Sequence, residues 1–323
     1  MQEKVSVVII TYNSGVFVEE TLESVKCQTY PYLELIVTDD CSEDNTVEIC
    51  RKWLSENSQR FISYKIITSK KNTGVAANAN RGLIAAHGEW IKFLGADDTL
   101  KAECIEDNMS MITSNQEIKV LFSQVEIYRD TFEPHNLIKR SPDFPYHSKS
   151  IFAPTRNAQS QYKMLLLCDR IHFTPSVFLH RETMLSLGGY DERFRLLEDY
   201  PLWLNLTKNG YKLYFMDKVT VCYRQHSNAI NNTGKDYLIN PNYFKNEDFR
   251  RLYTFPFLPA DIRLNQQFYW LAAKLFRCDW LNNNKRPNRL LLVLLTTYLN
   301  PFRYFIWLRK KFDKSLKDNE FYV

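Results

Sequence analysis

The stretch Val5-Ser6-Val7-Val8-Ile9-Ile10-Thr11-Tyr12-Asn13 decides the fold of this 323-residue chain. Its first six residues form a nearly continuous apolar run, which is typical of a strand buried on both faces of a parallel sheet. Similar runs recur, each separated from the previous one by a segment with helical spacing, at Leu33–Thr38, Tyr64–Thr68 and Trp90–Leu94. This alternation predicts an α/β fold with a doubly wound, Rossmann-like, mostly parallel sheet.

The pattern changes near residue 235, beyond which helical segments rich in Leu, Phe, Tyr and Arg follow one another. We therefore predict a domain over residues 1–234 and a helical C-terminal region over residues 235–323. A chain of this length can hold one large domain with an appendage. Within the first domain we expect strands at 120–128, 173–179, 211–215 and 219–223, and a loop from Thr131 to Asn157.

Composition limits the classes of protein that the chain can represent. A hydrophobic content of 45% with 24% charged residues is ordinary for a globular protein and excludes disorder. The net charge of +5 is concentrated near the C-terminus, which favours an anionic surface over nucleic acid as a neighbour. Seven cysteines without a C-x-x-C pair indicate a reducing compartment, and the first apolar run is too short for a signal peptide. We predict a cytoplasmic protein.

Polar residues follow each of the four predicted strands, where the loops of a parallel sheet converge on one edge and bind ligands. These segments belong to five motifs that, in order and spacing, resemble the family 2 glycosyltransferases with the GT-A fold over roughly the first 230 residues. The motifs are Val7–Asn13, Val37–Thr46, Asn72-Thr73-Gly74, Gly88–Asp98 and Glu198-Asp199-Tyr200-Pro201-Leu202-Trp203.

The resemblance implies an inverting transferase that uses a nucleotide diphosphate sugar. Because carboxylates and phosphates are both anionic, Asp97 and Asp98 suit such a site only with Mg²⁺ or Mn²⁺ between them and the diphosphate. The D-x-D motif of the family implies the same, but Gly95 stands where many members carry the first aspartate. We therefore expect Asp97 to be the main metal ligand, Asp98 the second and His226 a third.

The resemblance also implies which residues bind the donor. Asp39 matches the aspartate that accepts a hydrogen bond from the imide N–H of uracil, which makes the donor a UDP-sugar. Thr11 and Tyr12 would flank the base, and Ala79 stands where an arginine is common. The remaining donor-binding residues are predicted to be Asn13, Asp40, Asn72, Gly74, Asn80, Asp97 and Arg224.

Inversion in one displacement needs one general base for the acceptor hydroxyl, and Asp199 in the E-D-x-x-L-W segment matches that role. From local sequence alone, helix capping is an equally good interpretation of this residue. On the acceptor side we place Asp191, Glu198 and Trp203.

Beyond the resemblance, the apolar runs at 290–295 and 302–308 alternate with Arg and Lys, as in helices that lie in a membrane interface. A helical pair packed on the catalytic domain or in a homodimer is the competing interpretation. The interface interpretation fits a lipid-linked oligosaccharide acceptor and peripheral contact with the cytoplasmic face of the inner membrane.

The sequence thus predicts transfer of a hexose or N-acetylhexosamine from a UDP-sugar to a hydroxyl of a glycan in cell-surface polysaccharide synthesis, such as capsule or O-antigen. A sugar nucleotidyltransferase is one alternative, but residues 11–15 lack the basic phosphate loop that it needs. A nucleotide-sugar-binding protein without catalysis is the other, and Gly95 keeps it open.

Overall fold

The computed structural model describes residues 3–143, 145–147, 149–194, 197–227, 237–241, 244, 247–316 and 319–322. The chain forms two compact units, one of Met1–Gln161 with Arg170–His226 and the other of Tyr162–Asp169 with Ser227–Val323. The boundary predicted between residues 234 and 235 lies outside the described residues, so it stays a prediction.

Among the described residues, the first unit contains a nine-stranded mixed sheet in the order β3-β2-β1-β4-β8-β6-β9-β5, with β7 paired to β6. The first four strands of this order are parallel, β8 is antiparallel to both of its neighbours, and β6 is parallel to β9. The predicted mostly parallel α/β fold is confirmed. The strands are β1 (Val5–Thr11), β2 (Leu33–Asp39), β3 (Ser63–Thr68), β4 (Trp90–Gly95), β5 (Thr99–Leu100), β6 (Val120–Arg129), β7 (Leu137–Ser141), β8 (Phe178–His180) and β9 (Leu213–Gln225).

Helices cover the apolar strands, which is why β1 and β2 are buried along almost their whole length. The close packing depends on Gly82 in α3, since a Cβ there would lie 2.3 Å from a methyl group of Val8 in β1. The helices are α1 (Val18–Lys26), α2 (Thr46–Asn57), α3 (Val75–Ala85), α4 (Cys104–Ser114), α5 (Ala158–Leu167), α6 (Arg181–Ser186) and α7 (Asp199–Lys208).

Three local predictions differ from the structure. The strand predicted at 173–179 is a 3₁₀ turn at Thr174–Ser176 followed by the short β8. The two strands predicted at 211–223 are one strand, β9, because irregular pairing with β6 accommodates a locally exposed segment without ending the strand. The loop predicted at 131–157 contains β7, which pairs with β6.

The second unit is helical in its described part. Its helices are α8 (Glu247–Phe249), α9 (Ala260–Lys274), α10 (Arg286–Val293) and α11 (Pro301–Phe312), and a π-helical segment, Leu294–Tyr298, extends α10. No single helix in the described part of the chain is long and apolar enough to cross a membrane. By length and composition, the pair Arg286–Tyr298 and Pro301–Phe312, bent by 48°, meets the requirement together.

Candidate active site

The carboxyl ends of β1 and β2 lie side by side, with Thr11 paired to Asp39. The Thr11 hydroxyl donates to Asp39 Oδ2 at 2.8 Å, and the backbone N–H of Ser42 donates to Oδ1 at 2.9 Å. The carboxylate is buried, and a carboxylate oxygen can accept more than one hydrogen bond. Asp39 Oδ1 therefore retains capacity for a further donor, such as the N–H of a planar base.

Tyr12 and Asn13 continue from β1 into an exposed loop. The ring of Tyr12 is exposed, and Asn13 has a left-handed backbone with φ of 50°. The Asn13 N–H donates to the Ser42 hydroxyl at 2.8 Å, and its side-chain oxygen accepts from the N–H of Glu43 at 2.9 Å. These bonds hold the loops after β1 and β2 together. Tyr12, in the loop after β1, is 45% exposed.

Asp40 organises the loop before α3. Its carboxylate accepts hydrogen bonds from the N–H groups of Thr73 and Gly74, from the Thr73 hydroxyl and from Arg81. Burial alone would raise the pKa of Asp40, but these hydrogen bonds outweigh it and lower the pKa. Gly74 has φ of 95°, a conformation that favours glycine, and the predicted Asn72 lies in the same loop. Asp40 thus shapes this loop from beneath.

Asn80 lies on α3 but faces the turn at residues 188–190. Its amide donates to the Tyr190 carbonyl at 2.9 Å and to Glu192 at 2.8 Å, and its oxygen accepts from the Tyr190 N–H at 2.8 Å. These bonds hold the turn at residues 188–190 against α3, and the predicted donor contact of Asn80 stays a prediction. Asp191, on the same turn, forms an ion pair with Arg193 at 2.7 Å.

Two of the three predicted metal ligands, Asp97 in the loop after β4 and His226 just after β9, lie in contact. His226 Nε2 lies 3.2 Å from Asp97 Oδ2, and Asp98 Oδ1 accepts from the backbone N–H of Arg224 at 2.9 Å. Asp98 is 2% exposed. Burial, and then the negative charge of Asp97, raise the pKa of Asp98 well above its usual range. Asp97, whose side chain is 35% exposed, is therefore the more accessible of the two acids, and His226, with 12% of its side chain exposed, contacts it.

Gly95 explains how this loop functions without the first aspartate of the motif. A Cβ at this position would lie 2.7 Å from Asp97 Oδ1 and 3.6 Å from Asp98 Oδ2. The Asp97 carboxylate thus occupies the space that a side chain would take. A carboxylate oxygen and an imidazole nitrogen in contact suit Mn²⁺, and oxygen donors suit Mg²⁺, so Asp97 and His226 fit a divalent cation. Clusters of three or more His, Cys, Asp or Glu side chains arranged around one point are absent from the described residues.

Arg224, predicted from the sequence to bind the donor, contacts the loop after β4 in the structure, and its donor contact stays a prediction. Its side chain is 3% exposed and donates to the carbonyl oxygens of Asp97, at 2.8 Å, and Asp130. It also pairs with Glu20. The guanidinium lies 4.7 Å from the ring centroid of Phe17 and 4.0 Å from that of Phe132. These contacts engage the group with the protein, so it holds the Asp97 loop in place.

The candidate base is the first residue of α7. Asp199 Oδ2 accepts a hydrogen bond from the Thr174 hydroxyl at 2.7 Å. Burial, and then the charge of Asp199, raise the pKa of the adjacent Glu198 to about 7. Burial and the charges of the same two acids raise the pKa of Tyr190, which places its phenol near them.

Trp203 does not line the acceptor side as predicted. Its side chain is 0% exposed, and its ring packs edge-on against Phe122 with centroids 4.9 Å apart. Trp203 lies one turn after Asp199 on the same face of α7, so it packs in the core one turn further along the helix than the acid. The tryptophan therefore anchors the helix that presents the acid.

Lys92, in the strand that leads into the loop of Asp97, also holds the turn that contains Thr174. It lies in β4 with its side chain fully buried, and its amine donates to the carbonyl oxygens of Pro175 at 2.7 Å and Val177 at 3.4 Å. Burial lowers the pKa of this amine, and its charge acts on Asp98. The turn that it holds contains Thr174, so one strand positions both halves of the site.

Several supporting residues were missed by the sequence reasoning. Lys92 left a readable signal, because a lysine inside an apolar strand needs buried acceptors. The family commonly has an arginine at the position of Ala79. In this chain Arg81, two residues later, donates hydrogen bonds to Asp40 and Thr73. The others carry no local signal, since their partners are distant in sequence: Phe17, Glu20, Asp130, Phe132 and Thr174.

A mostly parallel sheet with an aspartate after β4, a histidine after β9 and a further acid at the start of α7 agrees with the GT-A fold expected from the sequence. Residues 6–173, just over half of the chain, match the family described as "Glycosyl transferase family 2", and the protein belongs to that family. It is therefore a glycosyltransferase.

Two curated relatives align with most of the chain. It is 28% identical over 226 residues to the putative teichuronic acid biosynthesis glycosyltransferase TuaG of Bacillus subtilis (strain 168), covering 70% of this chain and 81% of TuaG. It is also 28% identical over 248 residues to the UDP-Glc:alpha-D-GlcNAc-diphosphoundecaprenol beta-1,3-glucosyltransferase WfaP of Escherichia coli, covering 75% and 86%.

Two solved structures share the fold. Residues 1–349 of S. aureus TarS in complex with UDP superpose with a TM-score of 0.56 and 19% identity, covering 84% of this chain and 72% of that one. The mannosyltransferase PcManGT from Pyrobaculum calidifontis in complex with GDP-Man and Mn²⁺ superposes with a TM-score of 0.53 and 19% identity, covering 96% and 76%. At these identities the likeness shows the fold.

Proposed function

We propose that this glycosyltransferase moves a hexose or N-acetylhexosamine from a UDP-sugar, with inversion, to a hydroxyl of a lipid-linked glycan in cell-surface polysaccharide synthesis. The observation that carries the proposal is that one unit presents the Asp97 and His226 pair and, tied to the same strand through Lys92, an acid held by Thr174. The names of TuaG and WfaP support a polysaccharide role, and that of WfaP supports a lipid-linked acceptor.

Asp97 and His226 would hold Mg²⁺ or Mn²⁺, with Asp98 as the second carboxylate, and PcManGT was solved with Mn²⁺. When bound, the cation neutralises the negative charge that develops on the leaving diphosphate. The protein's part is to fix the two ligands before the donor arrives. Arg224 does so by bonding to the Asp97 carbonyl, and Gly95 by leaving room for the Asp97 carboxylate.

Asp199 would take the proton of the attacking acceptor hydroxyl. The bond from Thr174 fixes the orientation of its carboxylate, and the N-terminus of α7 stabilises its negative charge. Burial, and then the charge of Asp199, raise the pKa of Glu198 to about 7, so its protonated form would be available on the acceptor side as a hydrogen-bond donor. Asp191 would contact an acceptor hydroxyl from the neighbouring turn.

Donor selection would rest on the loops after β1, β2 and β3. Asp39 Oδ1 would accept the uracil imide N–H, and Tyr12 would offer its exposed face to the base. Thr11 holds the Asp39 carboxylate, and Asn13 fixes the loop. The complex of TarS with UDP supports a uridine donor. Asp40, Asn72 and Gly74 would shape the backbone that approaches the diphosphate.

A panel of nucleotide sugars tests the proposal. UDP-Glc, UDP-Gal, UDP-GlcNAc, UDP-GalNAc and GDP-Man are each incubated with the protein, with and without Mn²⁺, and sugar transfer or slow donor hydrolysis is followed by NMR. We expect turnover of a UDP-sugar only with the metal. The anomeric proton signal of the transferred sugar should show the configuration opposite to that of the donor. Pyrophosphate release from UTP and a sugar phosphate would indicate a nucleotidyltransferase instead, and binding without turnover an inactive protein. Turnover of GDP-Man alone, with none of the UDP-sugars used, would overturn the role of Asp39 in binding uracil.

A further inference from the structure

Helix α10 and its π-helical extension divide into an inner and an outer side. The inner residues Leu291, Leu292 and Leu295 pack on the buried Ala273 and Phe276. The outer side is apolar as well but exposed, with Leu290 at 61% exposure. This outer side consists of Leu290, Val293, Leu294 and Tyr298.

Helix α11 is divided in the same way. Its inner side carries Phe302, whose ring lies 6.4 Å from that of Phe268, and Arg309, which is bound to Asp261 at 2.8 Å. Its exposed apolar residues recur at helical spacing within a stripe about 100° wide, and Phe312 is 78% exposed. The stripe consists of Tyr304, Phe305, Leu308 and Phe312.

A basic hollow lies beside this stripe. It is lined by Ile306 and by one aromatic and three cationic side chains, with a volume of about 410 Å³. The aromatic residue, Trp307, is 58% exposed. The cationic residues are Arg303, Lys310 and Lys311. The indole and the amines together suit a group that is apolar on one side and anionic on the other.

The sequence between Asp279 and Asp313 contains no acidic residue. It contains seven basic ones: Lys285, Arg286, Arg289, Arg303, Arg309, Lys310 and Lys311. A symmetric contact between two copies through this surface would bring like charges together without acids to pair them, which opposes self-association. A surface with dense negative charge and an apolar interior complements both features.

We propose that the outer side of α10, the apolar stripe of α11 and the basic hollow together form a docking face for a bilayer that contains anionic lipids. The apolar residues would enter the boundary between headgroups and acyl chains, and the hollow would receive lipid phosphates. The biological reason for docking rests on the proposed function, because a lipid-linked acceptor is presented at the surface of a bilayer. The binding itself can be measured without donor or acceptor.

Vesicle flotation of the full-length protein, without donor or acceptor, tests the proposal. Vesicles contain phosphatidylcholine alone or with 30% phosphatidylglycerol. We expect flotation only with the anionic vesicles, and release at 1 M salt. Because each cation near an anionic surface contributes about fivefold to binding, Lys310→Gln with Lys311→Gln should weaken it about 25-fold. Phe305→Ser with Phe312→Ser should weaken it tenfold or more. In both variants UDP binding should equal that of the wild type, which separates this test from that of the proposed function.

Matched changes on α2 and α3 serve as controls. Arg51→Gln with Lys52→Gln removes two adjacent exposed cations, and Ile84→Ser removes a side chain that is 71% exposed. We expect both controls to float like the wild type. Equal binding to neutral vesicles, equal loss in the controls, or retention that resists both salt and alkaline extraction would overturn the proposal. A dimer abolished by Phe305→Ser with Phe312→Ser, without vesicle binding, would also overturn it and identify the face as a contact between copies.

Discussion

Replacing Arg224 with Met should destabilise the protein and weaken its metal-dependent donor binding together. The change leaves the carbonyl oxygens of Asp97 and Asp130 without their donor, and each buried acceptor left in this state costs about 1–3 kcal/mol. Loss of the stacking on Phe17 and Phe132 adds about 0.5–2 kcal/mol. The pair with the half-exposed Glu20 contributes little. We expect the free energy of unfolding to fall by about 2.5–8 kcal/mol.

Urea denaturation measures this loss, and isothermal titration of UDP with and without Mn²⁺ measures its effect on the site. If Arg224 acts by holding the Asp97 loop, UDP binding with Mn²⁺ should weaken by more than tenfold, whereas the weaker binding without metal should change little. Arg224→Lys keeps the charge but offers one nitrogen, so it should lose about 1–2 kcal/mol. Arg51→Met, an exposed change on α2, is the control and should leave both quantities unchanged.

The opposite pattern would refute this reasoning. If the Met variant kept the wild-type free energy of unfolding but bound UDP equally poorly with and without Mn²⁺, Arg224 would contact the donor directly. The direct role predicted from the sequence would then be correct, and the buried network would be of little energetic importance.

Thr174→Val should lower kcat about tenfold to a hundredfold with an unchanged dissociation constant for UDP, because the Asp199 carboxylate loses the hydrogen bond that orients it. Thr174→Ser keeps the hydroxyl and should retain most activity. Single-turnover kinetics measure the effect, and a change in UDP affinity alone would contradict the prediction. Gly95→Ala should weaken Mn²⁺-dependent UDP binding about tenfold, since its Cβ displaces the Asp97 carboxylate, and titration calorimetry would refute this by finding wild-type affinity. Glu198→Gln should stabilise the protein above pH 7 and not below pH 4. Folding raises the pKa of this carboxyl group, so the folded protein loses stability as the pH rises from the unfolded pKa through the folded pKa, by about 1.4 kcal/mol for each pH unit between the two values. Thermal unfolding across pH measures this difference between variant and wild type, and a difference that does not depend on pH would contradict it.

The core strands could be predicted because β1 and β2 are covered on both faces, which demands continuous apolar runs. The limits of β9 could not be predicted, since the exposed Asp217 and Lys218 resemble a turn in the sequence. In the structure they lie where the pairing with β6 shifts register. The long-range partner strand, and not local composition, carries the chain through this segment.

The acids of the candidate site could be recognised because each directly follows a strand or begins a helix. The direction in which a side chain points could not be predicted from the sequence. Arg224 and Trp203 both lie in the expected segments, yet both point into the protein. Whether an arginine faces a ligand or a carbonyl depends on which distant segments surround it, here helix α1 with Glu20 and the loops with Asp97 and Asp130. Pairings of this kind arise from the tertiary fold alone.

The most direct test of the account is the rate of sugar transfer by Asp199→Asn under conditions in which UDP-sugar binding is shown to be intact. A general base contributes about 10²–10⁴-fold to the rate, so the variant should transfer sugar at least a hundredfold more slowly than the wild type while binding the donor with the same dissociation constant. Transfer at the wild-type rate, with equal donor binding, would contradict the assignment of Asp199 and the mechanism built on it.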